Sequence, residues 1–192
     1  MFPHGSLYRN AILDSIDGQA LTRLHAGPEI HILVSYPPQW ASDRMALLLG
    51  MVAVGLDAFN HDVIHTTMAR RLGFQPLFLS VRECATPADL ADLIIGSSCV
   101  PPLTPQARRS GIPIFDGGLV NNVPTEGVAH NKGQTLVLLT RQFASVPAIA
   151  GHTFVQPSQP IPVRVWDYTD DAALQATFDL GRRDGERFCV CD

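Results

Sequence analysis

With 192 residues, 46% of them hydrophobic and 17% charged, the chain has the composition of about one globular domain and not that of a disordered or fibrous protein. Its net charge is -4 and its Lys and Arg are scattered; Arg108-Arg109 and Arg182-Arg183 are only pairs, so there is no clustered cationic surface for nucleic-acid phosphates. The four cysteines, Cys84, Cys99, Cys189 and Cys191, have neither metal-ligand spacing nor the density of a small secreted domain, which points to reduced thiols in a cytoplasmic protein.

The opening residues 1–7 carry neither the basic start nor the apolar run of a cleavable signal, and they read like the middle of a domain. Helices are expected over 7–15 and 19–25, then an apolar strand over 30–36 that Pro37 and Pro38 terminate. Ser42 caps the next helix, whose apolar run 45–56 falls short of the ~20 residues that span a bilayer and is flanked by Asp43, Arg44 and Asp57. Its apolar residues go right round the helix, which predicts burial on all sides; the functional alternative is a lid or cap helix that touches lipid at a membrane periphery.

A helix over 62–71 follows, stopped by Gly73. His61 and His65, four residues apart, could share a face as a metal pair, but no third ligand stands at a recognisable spacing, so a solvated face is preferred and no metal is expected. A strand over 76–81 leads to Thr86 and Pro87, the N-cap and first-turn proline of a helix over 88–95. Strand 112–115, two β-rich runs at 135–140 and 161–166 around a loop at 145–160, and a helix over 171–187 complete the chain. On that last helix Leu174, Phe178, Gly181, Gly185 and Phe188 share a face, and the glycines are expected to pack closely on the sheet. Such alternation predicts an α/β fold, with a mixed or largely parallel sheet flanked by helices and no evident domain boundary over 1–192.

The stretch from Gly111 to Pro124 holds the chemistry, because it puts one carboxylate, Asp116, at the end of an apolar strand and directly before Gly117 and Gly118. Glycines let the backbone turn sharply and a ligand approach closely, which suits a catalytic base; the plainer reading is an Asp-Gly turn after a strand. Upstream, Gly96, Ser97, Ser98, Cys99, Val100 and Pro101 form a block of small residues and serines before proline.

Together these segments resemble the second signature block of the patatin-like phospholipases, a family of serine acyl hydrolases. The matching residues are Ser97, Ser98 and Pro101, then Asp116, Gly117 and Gly118, then Asn122 and Pro124. The resemblance covers roughly 77–188 and more loosely the part before it. It implies a three-layer sandwich, incomplete in these residues, and a Ser-Asp dyad in which Asp116 takes the serine proton. That fits His4, His25, His31, His130 and His152, none of which has a triad pattern. It also implies a lipid or other acyl ester as substrate, transient contact with a membrane surface, and no cofactor.

The family's nucleophile, a serine in a Gly-x-Ser-x-Gly elbow, has no counterpart in this chain, nor does its glycine-rich oxyanion loop. Ser6 lacks a glycine two residues before it, and the block at Gly96 lacks the second glycine. Two explanations follow. The chain is the C-terminal part of a longer hydrolase, completed by an N-terminal segment, or it is a short protein that has lost catalysis and kept a lipid- or protein-binding surface. The intact Asp116, Gly117 and Gly118 favour the first. A nucleotide-binding α/β domain fits worse, because no glycine-rich phosphate loop is present.

Overall fold

The computed structural model describes residues 4–57, 68–101, 104–128, 133–164, 167 and 169–188. They belong to two units, 1–127 and 128–192. His61 and His65, most of the helix expected over 62–71, and Cys189 and Cys191 lie outside the described residues.

The first unit is built on a four-stranded sheet in the order β2-β1-β4-β3. Strand β1 (His31–Tyr36) pairs along its whole length with β2 (Gln75–Ser80), from His31 opposite Ser80 to Tyr36 opposite Gln75. Its other side meets β4 (Ile112–Asp116), with Val34 opposite Asp116 and Ser35 opposite Phe115. Strand β3 (Ala107–Arg109) joins β4 through Ser110 and Gly111 alone, whose φ values of 50° and 78° suit a tight two-residue hairpin. Such a loop forces antiparallel pairing, and every pairing in this sheet is antiparallel. The α/β class stands, while parallel pairing occurs in the second unit.

Helices cover both faces of this sheet. Successive strand residues point to opposite sides, so Ile114 and Phe115 enter different cores. On one side Val34, Leu79 and Ile114 pack with Leu21 of α2 (Gly18–Ala26) and with Leu90 and Leu93 of α5 (Pro87–Gly96). Helix α5 begins as its sequence predicts, with the Thr86 hydroxyl accepting from Asp89 N at 3.1 Å and Pro87 in the first turn. Helix α1 (His4–Ser15) lies against α5, and Arg9 pairs with Asp92 at 2.7 Å.

On the other side Phe115, Leu119 and Val120 pack with Phe74, with Ala46 and Ala53 of α3 (Asp43–Asp57), and with Ala69 of α4 (Met68–Arg71). Helix α3 is not buried on all sides. Its small residues Ala46, Gly50 and Ala53 let it lie close against the Phe74 and Phe115 rings, and that close seating leaves Met45, Leu48, Met51 and Val52 exposed.

In the second unit β5 (Thr135–Leu138) pairs in parallel with β6 (His152–Val155). Strand β6 falls inside the stretch expected to be a loop, directly after Gly151 at φ 75°. Residues 161–164 form no strand, and Val165 and Trp166 lie outside the described residues. Helix α6 (Asp171–Arg187) turns a different face inward from the one its glycines suggested: Leu180 is buried, whereas Phe178 is 67% exposed and nothing approaches Gly181 or Gly185. The inward face is set by polar bonds that apolar spacing does not reveal. The Thr177 hydroxyl accepts from Val163 N at 3.3 Å, and Asp184 accepts from the Ser158 hydroxyl at 2.6 Å.

Candidate active site

Asp116 is the last residue of β4 and the cap of a short 3-10 turn, Gly117–Leu119, where its Oδ1 accepts a hydrogen bond from Gly118 N at 2.7 Å. Three further bonds hold its backbone. Asp116 N donates to Cys99 O at 2.9 Å, Gly117 N donates to Ser97 O at 3.1 Å, and the Ser35 hydroxyl donates to Asp116 O at 2.6 Å. The serine-proline block and the Asp-Gly-Gly segment are therefore stitched together through the main chain.

Each residue singled out from the sequence has a place here. Ser97 and Ser98 end helix α5, and their hydroxyls donate back to Ile94 O at 2.7 Å and Ile95 O at 3.1 Å, so they shape the turn under Asp116. Pro101 is buried and lines the same small cavity as the Asp116 side chain. A Cβ on Gly118 would sit 3.1 Å from Asp116 Oδ1 and 3.2 Å from Asn122 Oδ1, which puts Asn122 beside the carboxylate turn. Pro124 is exposed, and its carbonyl accepts from Gly127 N at 3.2 Å.

Gly117 is a glycine for a reason the sequence did not disclose. Its φ is not positive, but a Cβ there would lie 2.4 Å from the Leu33 carbonyl oxygen, in the central strand. The close approach is by the protein's own backbone, not by a ligand. Gly96 meets the same limit more softly, against the Ile114 side chain at 2.5 Å.

The cavity beside Asp116 has a volume of about 10 Å³, room for about one water, and its other walls are Gly50 of α3, Cys99, Val100, Phe115 and Leu119. In these apolar surroundings burial pushes the Asp116 carboxyl above its ordinary range, and the bond from Gly118 N opposes that only in part. A carboxylate raised in this way is a better proton acceptor than a free one. Ser35, Ser97 and Ser98, the serines bonded into the turn around Asp116, donate their hydroxyl protons to the carbonyls of Asp116, Ile94 and Ile95.

One contributor escaped the sequence reading. Ser35 is a fully buried serine in an otherwise apolar strand, and that oddity was its signal. Cys99, also buried, donates to Pro105 O at 3.1 Å, and burial pushes its thiol up, so it serves as packing and not as a reactive thiolate. Beyond the turn, Arg70 donates to Val120 O at 3.1 Å and pairs with Glu126 at 2.8 Å, which ties α4 to the segment that follows Asp116.

Among the described residues no group of three or more His, Cys, Asp or Glu is placed to hold a metal ion, and no helix is long and apolar enough to cross a membrane. A family model described as patatin-like phospholipase matches residues 2–129. That span takes in the part before Leu77, ends close to the limit of the first unit and stops short of α6. No curated protein and no solved structure matches the chain.

Proposed function

This chain belongs to the patatin-like phospholipase family, which acts on lipids, and from that premise we propose that it supplies the aspartate half of a Ser-Asp acyl hydrolase. The observation that carries the reading is Asp116 itself, a carboxylate raised by burial at the wall of an apolar cavity. In the reaction Asp116 takes the proton of a serine hydroxyl as the oxygen attacks the carbonyl carbon of an acyl ester. The tetrahedral intermediate collapses, the alcohol leaves with the proton from Asp116, and an acyl-serine remains. Water then attacks that ester as Asp116 accepts its proton, and Asp116 returns that proton to the serine oxygen as the fatty acid departs and the free serine is restored. The serine elbow and the oxyanion donors come from an N-terminal complementing segment outside these 192 residues.

On this reading the chain alone does not turn over a short-chain nitrophenyl ester. Joined to a patatin-family segment that carries a Gly-x-Ser-x-Gly elbow, it does, and Asp116→Asn then lowers kcat by about 100-fold or more. A joined protein that folds, binds a fluorophosphonate at its serine and is indifferent to Asp116→Asn would sink the proposal. Labelling of a serine within the chain alone would do the same.

A further inference from the structure

Helix α3 is apolar on both of its faces. One face, Ala46, Gly50 and Ala53, seats the helix on Phe74 and Phe115, and Gly50 also walls the cavity at Asp116. The other face is open: Met45 is 44% exposed, Leu48 56%, Met51 38% and Val52 44%. Spacings of three and four residues put these four on one stripe. Trp40, in the turn that leads into the helix, is 69% exposed.

We propose that this stripe of α3, with Trp40, docks the protein on the surface of a zwitterionic lipid bilayer, so that a lipid reaches Asp116 beside the helix that contacts the membrane. The inference rests on the acyl-hydrolase reading for its purpose, and on the surface itself for its chemistry. No ionisable side chain lies between Arg44 and Asp57. At the start of the helix Asp43 is paired with Arg108, which neutralises the acid nearest the stripe. What remains at that end is exposed Arg44 and Trp40, residue types that settle at a headgroup boundary. The long, unbranched side chains of Met45 and Met51 can enter disordered acyl chains without a fixed partner shape. A net charge of -4 argues against attraction to anionic headgroups, so apolar burial is the driving force and salt has little influence. The continuity that selects lipid over another occupant is that one helix, a single layer thick, separates this stripe from the Asp116 cavity.

The test is sedimentation of the 192-residue chain with phosphatidylcholine vesicles, at low and high salt, beside the variants Leu48→Glu, Met51→Glu and, as a control in the second unit, Leu138→Glu. The wild type and the control cosediment at both salt concentrations, and each α3 variant partitions at least about tenfold less. The three side chains replaced, Leu48, Met51 and Leu138, are all exposed, and far-UV circular dichroism checks that each variant folds. Independently of those variants, in Trp166→Phe protein the Trp40 emission shifts to the blue on vesicles and is quenched by brominated acyl chains. Binding that survives Leu48→Glu, absence of vesicle binding by the wild type, or a dimer that Leu48→Glu dissociates while Trp40 stays unquenched would each overturn the proposal. Vesicle binding is read without turnover, and the hydrolase reading is tested on a dissolved ester, so either can fail while the other stands.

Discussion

Asp116 in the first unit and the carboxylates of the second are held in opposite ways, and so are the apolar side chains of the two units. In the first, apolar clusters fill both faces of one sheet, and Asp116 is fixed by its backbone among them, with burial pushing its carboxyl up. In the second, Leu139, Phe143 and Leu180 are the buried apolar side chains among the described residues, while Leu136, Leu138 and Phe178 face out. There Asp184 is held by the Ser158 hydroxyl and N–H, and Asp167 by Thr169, bonds that pull both carboxyls down. A carboxylate that serves structure is surrounded by donors. One kept short of donors in an apolar wall costs stability, and such perturbed carboxyls cluster at functional sites.

The sharpest way to break this comparison is the substitution Gly117→Ala. The obstructing atom is the carbonyl oxygen of Leu33, in a strand paired on both sides, so it has little room to withdraw. We expect a loss of about 3 kcal/mol in urea unfolding. A loss below about 1 kcal/mol would mean that β1 and β4 can part, and that the backbone frame around Asp116 is soft.

Much of that frame is readable from sequence because it rests on local chemistry. Thr86 and Pro87 start a helix, Pro37 and Pro38 follow the end of a strand, and Asp116 before two glycines marks the turn. What escaped depends on distant partners. Ser110-Gly111 is a legible hairpin signal, but β3 is three residues long, and two of them, Arg108 and Arg109, pair with Asp43 and Asp89 outside the sheet. Ser35 makes sense only once β4 lies beside it. The inward face of α6 is chosen by Ser158 and Val163, which no periodicity along the helix reports.

A smaller effect tests the contrast in carboxylates directly. The folded carboxyl of Asp116 sits above its unfolded value, so the fold binds that proton more tightly, and stability falls as pH rises from the ordinary carboxylate range through the raised value. Asp116→Asn keeps an acceptor for Gly118 N and removes the buried charge. It should raise stability by on the order of 1–2 kcal/mol at pH 7, with the gain fading as the medium is acidified toward the ordinary range. Asp184 has the reverse sign: its folded carboxyl lies below the unfolded value, so its contribution is present at neutral pH and is lost as pH falls through the lowered value. Unfolding of wild type and Asp116→Asn at pH 7, 5 and 3.5 reads the Asp116 slope. A variant less stable than wild type at pH 7 would show that the ionised carboxylate is welcome where it sits.

The smallest effect inverts the first. Gly181 lies in the interior of α6 with nothing within 4 Å of where a Cβ would stand, so an alanine there meets open space and restricts only the unfolded chain. Gly181→Ala should therefore stabilise α6 by about 0.5–1 kcal/mol, against the loss expected at Gly117 for the same added methyl group. Hydrogen exchange along α6 measures the gain locally, which matters because the two units need not unfold together. If the alanine slows no amide, or speeds exchange, the face that carries Gly181 and Phe178 is covered, and the contrast between a glycine set by packing and a glycine left in the open disappears.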